Sequence, residues 1–305
     1  MNEMQVAEYL TSRRIWVEEA LEKALATASQ NMPSGTGVER LLAAIRYSLM
    51  AGGKRLRPLL FLAALESLGG KTEEETKSYL SFAAGIEMLH TYSLIHDDLP
   101  AMDDDDMRRG QPSCHKQFDE GTAILAGDAL LTHCFCCLLA SPGKPELLRQ
   151  AARYFAWQAG LGGMVSGQAL DLAAEGQKLS LAALRNIHMA KTGALLAAAV
   201  VTGGILAGVD EEERVILELF GYQFGMAFQI TDDILDVTGD AAKLGKPTGS
   251  DITNGKVTYV SLMGLNGALQ EADAATCQAM KTLEPLGDAG ELLRGIAAYC
   301  LKRDC

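Results

Sequence analysis

The stretch LIHDDLPAMDDDDMRRG, residues 94–110, carries six aspartates between Asp97 and Asp106, directly after an apolar run and directly before Arg108 and Arg109. Two carboxylates ~6 Å apart repel by roughly 2–3 kcal/mol at an effective dielectric of ~20, so folding alone gives no reason to gather them. A cation is expected among them. A second acidic segment, FQITDDILDVTGD (228–240), sets Asp232 and Asp236 four residues apart, one turn along the same helix face. Each cluster ends an apolar helical run. Arg108 and Arg109 follow the first, and Lys246 and Lys256 follow the second. A single acidic run usually marks a solvated helix end. Two of them on apolar helices read as acidic faces opposed across a cavity.

The donor set narrows the cation. An EF-hand loop would need a glycine and a terminal glutamate at fixed positions, and neither is there. Oxygen donors argue against zinc and suit magnesium, which takes one or two carboxylates, keeps waters and completes its shell with phosphate. Pro100 cannot continue a helix, so a kink after Leu99 should swing Asp103 back towards Asp97 and Asp98. His96 is expected to pack or hydrogen-bond behind the site rather than bind magnesium. The run His133-Cys134-Phe135-Cys136-Cys137 lacks paired C-x-x-C spacing and lies in an apolar stretch, which favours buried thiols over zinc.

The elements that must position these groups are helices. Apolar i, i+3, i+4 patterns run through 4–28, 38–51, 57–68, 74–99, 121–140, 146–173, 180–208, 211–238, 256–284 and 289–303, broken by turn-forming segments at 31–37, 68–75, 141–145 and 245–256. No alternating β-branched run is long enough for a strand. The reading is one all-α domain over residues 1–305, a bundle of long antiparallel helices around a central cavity. Its 48% hydrophobic, 6% aromatic composition suits close-packed helices. A net charge of −12 argues against nucleic acid or an anionic membrane as the main partner. The N-terminal segment is charged and amphipathic with no apolar signal core. Gly193–Val209 is short and rich in Ala and Gly, as a buried core helix would be, so no membrane span is expected. Seven cysteines, an odd number, point to free thiols in a reducing cytoplasm.

Seven ordered blocks then resemble one family. DDLPAMD (97–103) and DDILD (232–236) look like the two aspartate-rich motifs of bacterial-type short-chain trans-isoprenyl diphosphate synthases. With them stand GGKRLRP (52–58), EMLHTYSLIHDD (87–98), MRRG (107–110), GQALDL (167–172), KTGAL (191–195), FQITDD (228–233) and LGKPTGSDITNGKVTY (244–259). The resemblance implies condensation of isopentenyl diphosphate with an allylic diphosphate, through ionisation of the allylic C–O bond. It assigns Asp97, Asp98, Asp103, Asp232 and Asp236 to three Mg²⁺ ions. Arg108, Lys191, Lys246 and Lys256 would grip the allylic diphosphate, with Thr192 and Gln229 turning oxygen dipoles towards the cation. Lys54, Arg57, His90 and Arg109 would hold isopentenyl diphosphate without metal. No protein general base stands out, and the family's released diphosphate is proposed to take the proton. A homodimer is implied.

Some residues keep a plainer reading. Lys54, Arg55 and Arg57 alone could be an ordinary basic helix start. Gln168 and Asp171, three apart on a helix, would line the same cavity. Ser93 lies one turn below Asp97, and Tyr92 borders that face at ~7.5 Å, taking 1.5 Å per residue. Tyr92 either packs between helices or floors the pocket for the growing chain. The floor reading predicts farnesyl diphosphate as the main product, with geranylgeranyl diphosphate the runner-up. Two alternatives are a non-catalytic prenyltransferase subunit, which would be expected to lack an Asp motif, and a terpene cyclase, which would not need the Lys54, Arg57 and His90 set.

Overall fold

Leucines and alanines recurring every three to four positions give a chain that is almost entirely helical in the computed structural model, which describes residues 2–239 and 256–301. Helix α1 (Glu3–Ser29) starts at Asn2, whose side chain accepts the Gln5 N–H while the Gln5 side chain accepts that of Asn2. Helices α2 (Thr36–Leu49), α3 (Leu56–Gly69), α4 (Glu73–Lys77) and α5 (Leu80–Asp97) follow. A two-residue ladder pairs β1 (Met107–Arg108) with β2 (Gln111–Pro112), antiparallel. Then come α6 (Cys114–Gln117), α7 (Glu120–Leu139), α8 (Pro145–Ala159), α9 (Met164–Ala174) and α10 (Leu181–His188). A π turn (Met189–Gly193) leads into α11 (Ala194–Ala207), followed by α12 (Glu211–Thr238), α13 (Tyr259–Thr282), a 3₁₀ segment (Glu284–Gly290) and α14 (Glu291–Leu301).

Three expectations from the periodicity need correction. The run 74–99 is two helices, because Thr72 and Glu75 form a capping box that starts the short α4, and the chain turns at Ser78 and Tyr79 before α5 begins. The run 146–173 is also two, parted at residues 160–163, where three glycines fall among apolar residues that preserve the pattern. The expected absence of strands gives way to the β1–β2 hairpin. Its two-residue turn, Arg109-Gly110, has φ of 53° and 77°, the left-handed pair that suits a tight hairpin.

The core forms where α11 is enclosed by α3, α8 and α12, while α5 packs on α7 and α12 on α13. Every residue of α11 from Ala194 to Leu206 is buried, so the apolar Gly193–Val209 stretch is largely an interior helix. By contrast α7, also strongly apolar, leaves Ile124, Leu125 and Leu139 exposed. Small residues let backbones meet around α11. A Cβ on Gly203 would lie 2.4 Å from the Phe61 carbonyl oxygen, and one on Gly221 only 2.3 Å from Ala197 Cα. Neither neighbour is a side chain that can swing away. Gly203→Ala is therefore expected to lower the unfolding free energy by about 1–3 kcal/mol in urea denaturation. Gly37→Ala, with open space around its Cβ position, should change it little. Equal midpoints for the two variants would show that α11 has room to shift.

Candidate functional site

Helix α5 is buried nearly all round and delivers Asp97 and Asp98 at its C-terminal end. Beyond Pro100 the chain coils back. Met102 N–H donates to Leu99 O at 2.8 Å and Asp103 N–H to Asp97 O at 2.9 Å, so the third aspartate returns beside the first, as the proline kink predicts. Burial raises the Asp97 carboxyl to about 6; Lys191 opposes that shift, while Asp103 and Asp98 add to it. Asp98 is buried, which likewise raises it, and it accepts from Arg108 Nε at 2.9 Å and from Arg108 Nη2. Arg108 Nη2 also reaches Asp105 Oδ2 at 3.1 Å, and Lys256 Nζ lies 3.2 Å from Asp103 Oδ2. This corner concentrates negative charge and admits cations.

A second corner reverses the sign. Gly52, Gly53 and Arg55 all have positive φ where α2 passes into α3. A Cβ on Gly53 would sit 2.7 Å from Arg109 Cζ, so only glycine lets that guanidinium lie against the turn. Arg109 donates to Gly52 O, and its guanidinium is 3.8 Å from Glu87. Arg55, fully enclosed, donates to Glu87 Oε1 at 2.8 Å and to Leu49 O at 2.7 Å. Arg57 Nη1 is 3.0 Å from His90 Nε2. A guanidinium can only donate, so Nε2 accepts and the imidazole proton sits on Nδ1. Burial first, and then Arg57, Arg109 and Arg108, hold His90 well below its usual range, which keeps it neutral. Burial also lowers Arg57 to about 10, while Glu87 and Asp232 favour its charge. Lys54 stands exposed at the lip.

The π turn supplies the third part. A Cβ on Gly167 of α9 would fall 2.2 Å from Lys191 N, so α9 approaches this turn as closely as glycine allows. Lys191 Nζ pairs with Asp171 Oδ2 at 2.7 Å while its charge acts on Asp97. Thr192 Oγ1 donates to Gln229 Oε1 at 3.1 Å, and Gln229 Nε2 to Asp233 Oδ1 at 3.2 Å. Asp233 Oδ2 in turn accepts the Tyr259 N–H at 2.9 Å, fastening the start of α13. Its neighbour Asp232 is the one that acts electrostatically on Arg57, and Asp236 is buried one turn on. The second motif is thus tied to the basic corner through Asp232 and to the π turn through Asp233 and Gln229. Ser93 donates to His90 O at 2.8 Å. Tyr92 is buried beside His96, and burial with Asp97 and Cys134 nearby raises its phenol to about 12. His96 meets the Ile124 carbonyl at 3.0 Å, a packing and hydrogen-bonding position. Lys246 lies outside the described residues.

Three participants escaped the residue pattern as partners: Glu87, Arg55 and Asp105; Asp171, expected to line the cavity, is the carboxylate that Lys191 meets. Glu87 had a local signal, a lone charge in an apolar helix one turn before His90. Among the described cysteines none is bridged, and Cys114, Cys134 and Cys137 are buried.

This helical framework is the isoprenyl synthase fold. It matches the crystal structure of a geranyltransferase from Helicobacter pylori complexed with magnesium and isoprenyl diphosphate, with a TM-score of 0.83 and 34% identity over 96% of each chain. Residues 38–288 match the polyprenyl synthetase family, and the chain belongs to it. A farnesyl diphosphate synthase of Micrococcus luteus is 47% identical over 87% of this chain and 90% of its own length. A chloroplastic geranylgeranyl pyrophosphate synthase of Arabidopsis thaliana is 46% identical over 79% of this chain and 68% of its own.

The raised Asp97 carboxyl has a consequence for stability. With an ordinary value of 3.8 and about 6 when folded, the folded state holds more protons than the unfolded state across that window. Stability should therefore fall as pH rises from about 4 to 6 in metal-free protein. Asp97→Asn should raise its unfolding free energy at pH 7 by roughly 1–3 kcal/mol and flatten the profile. An unchanged urea midpoint at pH 7 would mean the carboxylate is well solvated.

Proposed function

We propose that the chain is a trans-prenyltransferase that condenses isopentenyl diphosphate with dimethylallyl and then geranyl diphosphate to give (2E,6E)-farnesyl diphosphate. One observation carries the reading: an aspartate-rich corner and an arginine-rich corner with a neutral histidine adjoin each other. Two diphosphates can then be held by different chemistry. The oxygen-only donors Asp97, Asp98 and Asp103, with Asp232 and Asp236, fit magnesium and not a softer metal, and three Mg²⁺ ions are the reading's count. Magnesium supplies Lewis-acid stabilisation of the departing diphosphate. Arg108, Lys191 and Lys256, with Lys246, neutralise the same leaving group from the protein side.

Arg57, His90, Arg109 and Lys54 orient the isopentenyl diphosphate. Neutral His90 offers Nδ1–H as a donor without adding charge. Thr192 and Gln229, locked together, hold oxygen dipoles near the allylic cation. Ser93 and Tyr92 bound the chain pocket below Asp97, with Tyr92 as its floor. The relatives named as farnesyl diphosphate synthases support the product, and the Arabidopsis relative keeps geranylgeranyl diphosphate as the alternative. Both aspartate motifs are whole, which speaks against a non-catalytic subunit. The reading includes a homodimer, supported by the exposed apolar face of α7, and a cytoplasmic setting, supported by the odd number of cysteines and the free thiols among the described residues.

Purified protein with Mg²⁺, isopentenyl diphosphate and each allylic primer should yield farnesyl diphosphate by mass spectrometry. Excess chelator should abolish turnover, and Asp97→Ala or Asp232→Ala should cut the rate by several orders of magnitude. Full activity in chelator would sink the reading. Arg57→Ala should chiefly raise KM for isopentenyl diphosphate, and Lys191→Ala should weaken or slow the allylic partner. If both variants weaken the same substrate, the two corners have been assigned wrongly.

Product length gives a separate measurement. Tyr92→Ala should shift output to geranylgeranyl or longer chains with metal dependence unchanged. Identical product distributions in wild type and variant would remove Tyr92 as the floor.

A further inference from the structure

We infer that Asp104, Asp106 and His115 form a second divalent-cation site, one that prefers a first-row transition ion of the Zn²⁺ or Co²⁺ kind to Mg²⁺. These residues lie at the base of the arginine hairpin, two before β1 and one after β2. One potential ligand atom from each lies within 4.8 Å of the others. A single ion bonded at about 2.0–2.2 Å to each would require them to draw in by roughly an ångström. Asp104 and Asp106 are exposed, and their side chains can make that movement once Asp106 turns from its pairing with Lys116.

His115 is the reason to expect a ligand here. The ring is only 7% exposed, its Nδ1 is 3.1 Å from Ser113 Oγ, and its Nε2 is buried with no hydrogen-bond partner. A buried nitrogen left unmatched is destabilising, and a ligand that accepts its lone pair removes that cost. In the tautomer that donates Nδ1–H to Ser113 Oγ the lone pair falls on Nε2, and a hydrogen bond from the other ring nitrogen is what orients a metal-binding imidazole. Imidazole with two carboxylates suits zinc-like ions, whereas the oxygen-only set around Asp97 suits magnesium.

The site uses other residues than the proposed catalytic one, although His115 lies within electrostatic reach of Asp98. Asp103 pairs with Lys256 and Asp97 feels Lys191, whereas Asp106 meets Lys116 Nζ at 2.8 Å through Oδ1. Lys116 is the local competitor, and an incoming ion must use the other oxygen or displace it. The Ser113 N–H already donates to Asp106 O at 2.9 Å, closing the hairpin base. An ion on Asp104, Asp106 and His115 would strap that closure from the side-chain direction and hold Arg108 and Arg109 in place.

The test uses the full chain carrying Asp97→Asn and Asp232→Asn, stripped of metal and free of diphosphate, titrated with Co²⁺. Calorimetry should give one ion per chain. Visible absorption should show a nitrogen-ligated d–d band that Zn²⁺ abolishes and a hundredfold excess of Mg²⁺ does not. Adding Asp106→Asn, a surface change that leaves packing untouched, should weaken Co²⁺ binding at least tenfold, and so should His115→Ala if it folds. The inference is overturned if the parent binds no Co²⁺, or if Asp106→Asn binds it as tightly. Loss in Asp106→Asn with full binding in a folded His115→Ala would also overturn it, since the ion would then rest on carboxylates alone.

Discussion

The ion pair between Arg55 and Glu87, with both side chains shut away from water, is the contact on which the basic half of the site depends. Glu87 is a buried carboxylate that Arg55, Arg57 and Arg109 all feel or touch, with Asp98 and Asp232 adding weaker help to Arg109 and Arg57. Breaking a buried pair by removing one partner typically costs 3–5 kcal/mol, because the remaining charge is left uncompensated. Here it would leave three guanidinium groups facing one another beside a histidine that cannot share the charge. Both Arg55 and Arg109 reach this point from left-handed backbone, Arg55 at the entrance to α3 and Arg109 in the hairpin turn.

The acidic half solves the opposite problem with less internal compensation. Asp98 is answered by Arg108 directly, but half-buried Asp97, its carboxyl raised to about 6, has only longer-range help from Lys191 and Arg108. Such residual repulsion is stored where a ligand can relieve it, and it marks a site whose charge is completed from outside. Rigid packing makes this tolerable. Helices α5 and α11 are buried along most of their lengths, and α12 buries one face from Leu217 to Asp236, so the site's strain is held by a core with few ways to yield.

Much of this was legible in the residues. Helix positions followed from apolar spacing because almost every helix buries one face or all of itself, and the return of Asp103 followed from what proline forbids. The break at residues 160–163 escaped because its glycines interrupt no apolar pattern. The hairpin escaped because its turn uses Arg109 where asparagine or aspartate would normally announce it. Arg55 and Glu87 were harder still. One was visible as part of a basic run and the other as a lone charge, but their pairing crosses 32 positions and exists only once α3 lies against α5. Local chemistry was readable; charge compensation over distance was not.

The π turn at Met189–Gly193 acts as a phase shifter within an otherwise continuous rod. One additional residue in a turn rotates everything beyond it by about 100°, the angle each residue occupies in an α-helix. The face that α10 shows through Leu184 and Ile187 is thereby decoupled from the face that α11 buries in the core. Lys191 and Thr192 sit on the seam between the two phases, aimed by neither helix alone. The interior helix can therefore be optimised for close packing while its entrance is angled for charge, and a one-residue deletion in this turn would force both tasks onto a single register.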